Sequence, residues 1–408
     1  MSTADNANLI DGAAGNDSIE GRGGDDTIIG GAGNDTVLGG EGADSISGYG
    51  NDDILSGDAG NDVVRGNAGN DVVGAESGND SVYGGSGNDL LSGSTGDDLL
   101  NGGIGFDTAD YSEVTDNLVA SINFGGAQSV SAQAGKDTFV SIEALIGGSG
   151  NDLLVGNSAG NLIVGGEGND EIYGIGAGDI LRGGIGNDQI EGSGGNDTME
   201  GGVGDADVLS YFNSAGGVTV NLRFQGVAKA VGGSSGTDLF TGFEDLFGSN
   251  VGGDTLVCSV EDNRILGFAG DDLIFGFDGD DDLIGMTGAD TLNGGLGADI
   301  LSGGGAADTF DFNNITDSSG TSRDTIADFG VGGADLIDLS TIDANPIVGG
   351  NQAVSFIGAA GFSEAGQVRF ATNGTNGFVL GDVDGDGNVD LNILLLGVTS
   401  IGASDFVL

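Results

Sequence analysis

An acidic residue recurs every nine positions through most of this chain, and that period constrains the fold more than any other feature. The stretch GGAGNDTVLGGEGADSISG at 30–48 contains the pattern G-G-x-G-x-D-x-U-x twice, where U is a large apolar residue. An inward U between outward neighbours is typical of a short, three-residue strand, and the six residues rich in Gly are typical of a tight turn. One nonapeptide therefore predicts half of a flattened coil, and two predict a full coil that rises by about 4.8 Å.

The period defines three arrays. In the first array, the acidic positions are Asp17, Asp26, Asp35, Asp44, Asp53, Asp62, Asp71, Asp80, Asp89, Asp98 and Asp107, and the apolar positions are Ile19, Ile28, Val37, Ile46, Leu55, Val64, Val73, Val82, Leu91, Leu100 and Ala109. The second array has Asp152, Asp170, Asp179, Asp188 and Asp197 in frame, with Asn161 as a substitution and Asp207 displaced by one extra residue. The third has Asp254, Asp272, Asp281, Asp290, Asp299 and Asp308, with Asn263 as a substitution.

Stacked coils would place each Asp over the Asp two nonapeptides away, together with the carbonyl oxygens of the turns. Calcium takes six to eight hard oxygen ligands in flexible geometry, whereas magnesium needs a tighter octahedron. We therefore predict that all the in-frame Asp residues bind calcium, in about eighteen stacked sites. Weaker sites are expected where Asn51 replaces a turn Gly and where Gly74, Ala75 and Glu76 end a strand.

Calcium is also expected to supply the free energy of folding. Ordering nine residues costs on the order of 9–18 kcal/mol, whereas burying one U side chain returns only about 1.5–3 kcal/mol. Rows of unpaired carboxylates would in addition repel one another. The calcium-free arrays should therefore be largely disordered, and calcium near 0.1–1 mM, roughly the range of extracellular modules, should fold them.

Composition excludes several classes of function. The 64 Asp and Glu residues against 9 Lys and Arg give a net charge of −55, which argues against nucleic acid or an anionic membrane as a partner. A salt-adapted surface and intrinsic disorder are alternative sources of acidity, but neither explains the phasing of the Asp residues. The chain has no His, so a His-ligated zinc site, a His general base and a Ser-His-Asp triad are excluded.

Cys258 is the only cysteine, so the chain cannot form an intrachain disulfide. We expect a small buried filler at this position, with a reactive thiol as the alternative. The first residues, MSTADNANLIDGAAGNDS, lack the basic and apolar regions of a cleaved signal peptide. There is no apolar run of 18 residues that would span a membrane.

The nonapeptide resembles the calcium-binding repeat of the repeats-in-toxin (RTX), or haemolysin-type, family. Two similar segments, YSEVTDNLVASINF with DTFVSIEALIG and YFNSAGGVTVNLRF with TDLFTGFEDLFG, separate the arrays. We predict an all-β protein of three right-handed parallel β-rolls, short β inserts and a C-terminal β-rich capping and secretion unit. The proposed segments are a lead at 1–11, rolls at 12–110, 147–207 and 249–311, capping inserts at 111–146 and 208–248, and the C-terminal unit at 312–408.

The C-terminal unit, with DTIADF, DLIDLSTIDAN and GDVDGDGNVDLNILLLG in order, is similar to the segment that closes the β-roll of serralysin-type secreted proteases. That resemblance implies an uncleaved signal read by a bacterial type I exporter, with Asp405, Phe406, Val407 and Leu408 as its terminal tag. The expected protein is secreted and extracellular. The zinc protease domain of the serralysins is not present in this sequence, so the resemblance does not imply proteolysis.

The run Asp382, Asp384, Asp386 and Gly387 looks like the start of an EF-hand loop. The twelfth position would be Ile393, where a bidentate Glu is needed, and the flanks read as strands. A solvated acidic turn is the favoured interpretation, with calcium binding as the alternative.

Three functions remain open. The first is a non-enzymatic structural, matrix or adhesion protein, with a cell-surface or matrix polysaccharide as a candidate partner. The second is a membrane-active protein of the RTX nodulation-signalling kind, although no amphipathic helix supports insertion. The third is a polysaccharide-acting enzyme that would use paired carboxylates in an insert, either Glu143 with Asp137 or Glu244 with Asp238. We do not predict that any of these acids is catalytic, because they would suit structural caps equally well.

Overall fold

The computed structural model describes residues 6–344 and 352–408 and divides the chain into two compact units, Met1–Gly204 and Asp205–Leu408. Residues 1–5 of the predicted lead and 345–351 of the predicted C-terminal unit lie outside the described residues. Nearly all regular structure is β-strand, with short 3-10 turns at Leu222–Phe224 and Ala403–Asp405. In the part of the chain that the structure describes, no helix has the length and hydropathy needed to cross a membrane.

The strands of the first unit follow one another at short intervals. They are β1 Leu9–Asp11, β2 Ser18–Gly23, β3 Thr27–Ala32, β4 Thr36–Glu41, β5 Ser45–Gly50, β6 Ile54–Ala59, β7 Val63–Ala68, β8 Val72–Gly74, β9 Ser81–Ser86, β10 Leu90–Ser92, β11 Leu99–Ile104, β12 Thr108–Asp110, β13 Val119–Ser121, β14 Gln128–Ser131, β15 Gly135–Val140, β16 Ala144–Ile146, β17 Leu153–Val155, β18 Leu162–Glu167, β19 Glu171–Tyr173, β20 Ile180–Ile185, β21 Gln189–Glu191 and β22 Thr198–Val203.

The second unit has the same spacing in its first half and longer loops in its second. Its strands are β23 Val208–Ser210, β24 Thr219–Asn221, β25 Lys229–Ala230, β26 Thr237–Thr241, β27 Asp245–Phe247, β28 Thr255–Val257, β29 Arg264–Ala269, β30 Leu273–Asp278, β31 Asp282–Thr287, β32 Thr291–Leu296, β33 Ile300–Gly305, β34 Thr309–Asp311, β35 Thr325–Ile326, β36 Leu336–Asp338, β37 Ser355–Phe356, β38 Gln367–Thr372, β39 Gly377–Asp382, β40 Leu391–Leu395 and β41 Phe406–Val407.

Strands two nonapeptides apart pair in parallel, which confirms the predicted coil. Ile28 of β3 faces Ile46 of β5, and Val37 of β4 faces Leu55 of β6. In the first unit this alternation gives one sheet in the order β1-β3-β5-β7-β9-β11-β15 and another that runs from β2 through β4, β6, β8, β10 and β12 to β16, β18, β20 and β22. A third sheet joins β13, β17, β19 and β21. Each coil therefore contributes one strand to each of two facing sheets.

The core is a single column of U side chains. From Ile28 to Ala109, the in-frame apolar residues of the first array are at most 1% exposed, and only Ile19 at the first coil is half-buried. Many strands are longer than expected. β4, for example, has six residues instead of three, because the two glycines after the apolar tripeptide continue the pairing, as Gly40 does with Asp58.

The first insert belongs to the stack and does not interrupt it. β12 pairs with β16 and β16 pairs with β18, so Thr108, Ala144 and Leu162 follow one another in one sheet. β15 pairs with β11 and continues the other sheet, and β14 pairs with β15 in the antiparallel direction. β1 of the predicted lead is likewise already paired with β3 in the regular register.

In the second unit, the sheets run in the orders β23-β27-β29-β31-β33-β35-β40-β39-β38-β37 and β24-β28-β30-β32-β34-β36-β41. β38, β39 and β40 form an antiparallel meander at the C-terminal end. β41 carries the proposed terminal tag and pairs with β36, where Phe406 is 8% exposed and stacks on Phe356. The last residues of the chain are thus a strand of the solenoid.

Candidate calcium-binding turns

The in-frame Asp residues form two ladders, one along each edge of the coils. The Asp17 N–H donates to Asp35 Oδ1 at 2.8 Å, and the Asp26 N–H donates to Asp44 Oδ1 at 2.7 Å. Every predicted acid except Asp17 accepts such a bond on Oδ1, at 2.6–2.9 Å, from a residue of the preceding coil or insert. One carboxylate oxygen therefore holds the coils in register.

The second oxygen, Oδ2, points into the turn. Among the residues that the structure describes, this oxygen is buried without a hydrogen-bond partner at Asp17, Asp26, Asp35, Asp44, Asp53, Asp62, Asp71, Asp80, Asp89, Asp98, Asp107, Asp170, Asp179, Asp272, Asp281, Asp290, Asp299 and Asp308. An unpaired buried carboxylate oxygen costs several kcal/mol as a rule, so a whole row of them requires a compensating charge.

In most coils the residue five positions before the Asp is a glycine that lines the same space; the exceptions are Ala75, which is buried before Asp80, and Ser249 before Asp254. A Cβ on Gly30 would lie 2.6 Å from Asp35 Oδ2 and 3.1 Å from the carbonyl oxygen of Gly48 in the next coil. The carboxylate oxygen and the carbonyl oxygen of the following coil therefore converge on one small volume, which a methyl group would fill. Such a set of oxygen donors suits a calcium ion.

The pKa values of the in-frame carboxyl groups show the same cost of burying an anion. Burial raises the pKa of Asp98 to about 7; the hydrogen bond from the Asp80 N–H opposes the rise, and the carboxylates of Asp137 and Asp80 add to it. Burial likewise raises the pKa of Asp170, Asp272 and Asp281 to about 7. These carboxylates are poorly stabilised as anions by the protein itself, and either a proton or a cation would relieve them.

A left-handed residue stands four positions before each of these acids. Gly31 precedes Asp35 with a φ of 115°, and Tyr49 precedes Asp53 with a φ of 80°. The same holds before all the other acids with an unpartnered Oδ2 named above, whichever residue type fills the position. At these acids, the left-handed residue and an Oδ2 without a hydrogen-bond partner therefore occur together. Asn51 and Glu76 are left-handed as well, so the two turns expected to be weaker have regular geometry.

Asp152 and Asp254 differ from the other predicted ligands. The Gly148 N–H donates to Asp152 Oδ2 at 2.9 Å, and the Ser249 N–H donates to Asp254 Oδ2 at 2.6 Å. Both acids lie in the first coil after an insert, where the preceding turn lacks the left-handed residue. Their second oxygen is therefore held by the protein, and the geometry does not favour them as calcium ligands.

The structure explains the two Asn substitutions. The Asn161 side-chain amide donates to the carbonyl oxygen of Glu143 at 3.1 Å, and that of Asn263 donates to the carbonyl oxygen of Glu244 at 2.6 Å. In a regular coil, the residue at that place presents an N–H, which a carboxylate accepts. Here the insert presents a C=O, which only an amide can satisfy.

Several acids outside the nonapeptide frame extend the ladders. The Asp98 N–H donates to Asp137 Oδ1 at 3.0 Å, and the Asp107 N–H donates to Glu143 Oε2 at 2.9 Å. In the second unit, Glu244, Asp324 and Asp335 accept in the same way from Asp207, Asp299 and Asp308. Asp137, Asp324 and Asp335 each stand two residues before a buried apolar residue, so a D-x-U pattern outside the nine-residue frame was the missed signal.

Asp207 was interpreted as displaced from the frame, but the structure returns it to the stack. The carbonyl oxygen of Asp107 accepts from the N–H groups of Glu143 and Ala144, and that of Asp207 accepts from those of Glu244 and Asp245. Asp207 therefore occupies the same place in the second unit as Asp107 does in the first. The extra residue is absorbed in the preceding turn.

The insert acids considered as a catalytic pair have structural contacts instead. Asp137 is fully buried and also accepts from the Tyr111 hydroxyl at 2.6 Å, as Asp238 does from Tyr211 at 3.1 Å. Glu143 belongs to the other ladder, over Asp107. The arrangement closes a coil and does not place the two carboxylates around a common substrate.

A second, exposed ladder was not anticipated. The residue before the in-frame Asp is often Asn or Asp, and its side-chain oxygen accepts from a backbone N–H one coil later. Examples are the Asn34 N–H to Asn16 at 3.0 Å and the Asn70 N–H to Asp52 at 2.7 Å. This ladder explains why Asn and Asp recur at that position, and its acids, such as Asp25 and Asp52, are exposed.

Two further predictions concern single features. The Asp382 run forms a hairpin turn between β39 and β40, and both oxygens of Asp382 accept backbone N–H groups, from Gly385 at 2.8 Å and Gly387 at 3.0 Å. Cys258 is fully buried, and burial raises the pKa of its thiol well above the usual value.

A family comparison supports the calcium interpretation. The sequence model of the RTX calcium-binding nonapeptide repeat (4 copies) matches residues 3–37, 38–73, 47–82, 74–109, 146–174, 173–206, 249–276 and 275–310, together more than half of the chain. The chain belongs to the RTX calcium-binding nonapeptide repeat family. These RTX repeats bind calcium, and in this protein they build the parallel β-solenoid described above.

Other comparisons add little to the RTX assignment. No curated protein matches the chain. A solution structure of the AlgE6R3 subunit from the Azotobacter vinelandii mannuronan C5-epimerase is similar, with 28% identity over 38% of this chain and 78% of that chain and a TM-score of 0.21. At that TM-score, the likeness carries no weight for fold or function.

Proposed function

We propose that this RTX protein is a secreted, non-enzymatic structural protein whose rolls fold on extracellular calcium and act in a matrix, surface layer or adhesion. The row of buried, unpartnered Oδ2 atoms carries the proposal, because each regular coil contains a carboxylate that the protein alone leaves unsatisfied. Calcium bound between coils would neutralise these rows, and its binding energy would be folding energy.

The ligands proposed are the in-frame Asp residues other than Asp152 and Asp254, whose Oδ2 accepts a protein N–H. The sequence count of about eighteen sites assumed that every nonapeptide shares a site with the one two ahead. The coils of Asp152, Asn161, Asp254 and Asn263 use backbone or amide hydrogen bonds at this place, so the proposed stoichiometry is lower. The regular coils hold the calcium, and the first coils after each insert do not.

Export is proposed to follow the type I route, with the C-terminal unit as the uncleaved signal. Phe406 and Val407 pair with β36, and the Leu339 N–H donates to the Val407 carbonyl oxygen at 2.8 Å. A tag held as a strand is accessible to an exporter only in the unfolded chain, which low cytoplasmic calcium would maintain. The division into three rolls, two inserts and a C-terminal unit belongs to this proposal.

The deciding experiment is far-UV circular dichroism of the purified full chain during a calcium titration, with magnesium as the control. The expected result is a cooperative coil-to-β transition at about 0.1–1 mM calcium and none with magnesium. A chain that is fully folded in chelator at about pH 8, where the in-frame carboxyl groups are ionised, would contradict the proposal.

The membrane-active alternative makes a different prediction. It requires release of dye from liposomes by the calcium-loaded protein. Absence of release at every calcium concentration would exclude it and leave the structural role, for which binding to a cell-surface or matrix polysaccharide is the next assay.

A further inference from the structure

One face of the first unit carries almost no charge, although the chain has 64 Asp and Glu residues. It is the outer face of five neighbouring strands of one sheet, β3, β5, β7, β9 and β11. Arg65 is the only charged residue in these strands, and we call their outer side the Arg65 face. Its aromatic, amide and guanidinium groups belong to Tyr49, Arg65, Asn67, Tyr83 and Asn101.

The other sheet of the same coils is acidic. Its strands β2, β4, β6 and β12 carry Glu20, Glu41, Asp58 and Asp110. At the borders of both sheets, the turns add Asp25, Asp52 and Asp97. The two sheets share the same repeated backbone, so the fold does not require acids on one side and their absence on the other.

Arg65 differs from another arginine at the same place in the repeat. Arg182 likewise follows the buried apolar residue of its nonapeptide, and it forms an ion pair of 3.4 Å with Glu200 on the adjacent strand. The cross-strand neighbours of Arg65 are Ser47 and Tyr83, and its guanidinium Cζ lies 5.1 Å from the centroid of the Tyr83 ring. Within residues 6–344 and 352–408, Arg65 forms no ion pair. Its charge therefore remains available to an anion outside the chain.

Tyr49 occupies the left-handed position of its turn, with a φ of 80°, and is 55% exposed. Glycine adopts this backbone freely, and for a bulky residue it is strained. Gly31 fills the equivalent position opposite Tyr49 on β3. A shallow groove of about 610 Å³ lies beside the ring, over Ile29, Gly31 and Gly50, and Asp11 of β1 marks its far end. The turn does not need the phenol, which instead forms the wall of a space open to a ligand.

The Arg65 face is broad enough to separate its cation from the acids along the stack. Arg65 lies on the central strand β7, with Tyr49 on β5 and Tyr83 on β9 to either side. Asp11 lies on β1, three strand spacings or roughly 14 Å from β7, whereas the Debye length at physiological ionic strength is about 8 Å. A linear polymer laid across the strands would therefore meet ring, guanidinium, ring and amide in turn without crossing an acidic strand.

We propose that the Arg65 face binds an acidic polysaccharide, with a sugar carboxylate on the Arg65 guanidinium and sugar rings packed against Tyr49 and Tyr83. This inference rests on the proposed structural role, for which it names the binding site and the charge of the partner. A guanidinium holds a carboxylate through two parallel N–H···O bonds, and a tyrosine offers an apolar ring with a polar tip to the C–H groups and hydroxyls of a sugar. One cation releases too few counterions to hold nucleic acid, and an anionic membrane is bound by clusters of roughly four to eight Lys and Arg.

The test is isothermal titration calorimetry of the calcium-loaded full chain with a short hyaluronan oligosaccharide, in which every second sugar carries a carboxylate. A dextran oligosaccharide of the same length is the uncharged comparison. The expected result is binding of the hyaluronan oligosaccharide and none of the dextran. Arg65→Gln should weaken this binding at least roughly tenfold, because it removes charge-assisted hydrogen bonds, while the calcium-induced circular dichroism transition is unchanged. Arg182→Gln is the matched control, since Arg182 has the same repeat position and is already paired with Glu200.

Tyr49→Gly tests the contribution of the ring. Glycine suits the left-handed backbone, so this variant should fold with calcium as the wild type does and bind the oligosaccharide more weakly. Met286→Gly is its control, because Met286 is a left-handed, exposed residue in the second unit.

The outcomes separate this inference from the structural role. A chain that folds with calcium but binds no hyaluronan oligosaccharide overturns the inference alone, whereas a chain that does not fold with calcium overturns the structural role. Equal binding of dextran would contradict the part assigned to Arg65. Binding that is unchanged in both Arg65→Gln and Tyr49→Gly would place the sugar on calcium ions of the turns and overturn the inference. Tighter binding of phosphatidylserine vesicles or single-stranded DNA would also overturn it.

Discussion

The regular coils and the first coils after an insert use the same acidic position in different ways. Asp53 donates its N–H to the ladder, accepts on Oδ1 and leaves Oδ2 buried without a partner. Asp152 has the same ladder contacts, but its Oδ2 accepts the Gly148 N–H. A nonapeptide sequence therefore does not by itself leave the second carboxylate oxygen without a partner. In the described coils, Oδ2 is unpartnered where the residue four positions earlier is left-handed.

The largest expected effect concerns the pH dependence of the calcium-free protein. Burial raises the folded pKa values of Asp98, Asp170, Asp272 and Asp281 to about 7 from the ordinary value of 3.8. Between pH 3.8 and about pH 7, the folded state therefore binds more protons than the unfolded state. The free energy of unfolding falls as the pH rises through this range. In chelator, we expect β-structure at about pH 5 and its loss by about pH 8, measured by circular dichroism. Greater stability at the higher pH would contradict the burial of these carboxylates.

The next largest effect is expected from removing one proposed calcium ligand. Asp53→Asn replaces a carboxylate oxygen in a regular coil and should abolish a calcium site, which lowers the unfolding free energy by about 3 kcal/mol when calcium is near a hundredfold above Kd. Asp152→Asn should leave the calcium stoichiometry unchanged. Isothermal titration calorimetry and thermal unfolding in calcium separate the two variants. Equal losses of calcium would show that the Gly148 hydrogen bond gives way to the ion.

Filling the turn is the third test. A Cβ on Gly48 would overlap Asp53 Oδ2 and lie 3.0 Å from the Gly66 carbonyl oxygen, whereas one on Gly50 meets nothing within 4 Å. Gly48→Ala should lower the unfolding free energy in calcium by about 2 kcal/mol, with Gly50→Ala near neutral. Chemical denaturation in calcium measures both. Similar losses for the two variants would indicate a general preference for glycine and not a filled cradle.

The smallest effect is expected from placing Asp at position 161, where this chain has Asn in the acidic position of the repeat. Asn161→Asp would set a carboxylate against the Glu143 carbonyl oxygen in place of an amide donor, and should cost about 1 kcal/mol without adding a calcium ion. The readout is thermal unfolding together with calcium stoichiometry. A gain of one ion with higher stability would mean that the coil after the insert is a potential site after all.

Much of the solenoid could be predicted because its information is local and repeated. The phase of Asp35 and Val37 fixes which side chains point inward, and stacking of coils two nonapeptides apart follows from strand geometry. The inserts were harder to predict. Asp137 and Glu143 complete ladders begun by Asp98 and Asp107, and these partners lie 39 and 36 residues apart, outside any fixed period.

The sequence alone determined the family, the β-roll and the calcium-ligand chemistry, since each depends on residue types at a constant spacing. Only the tertiary structure decided which carboxylates keep an oxygen for the ion, because that depends on where neighbouring N–H and C=O groups point. The side chains of Asp152 and Asn161 are hydrogen-bonded to their neighbours at this place, whereas Asp53 keeps an unpartnered Oδ2 four residues after the left-handed Tyr49. Backbone direction at one residue, set by the coil beside it, separates a structural hydrogen bond from a metal ligand.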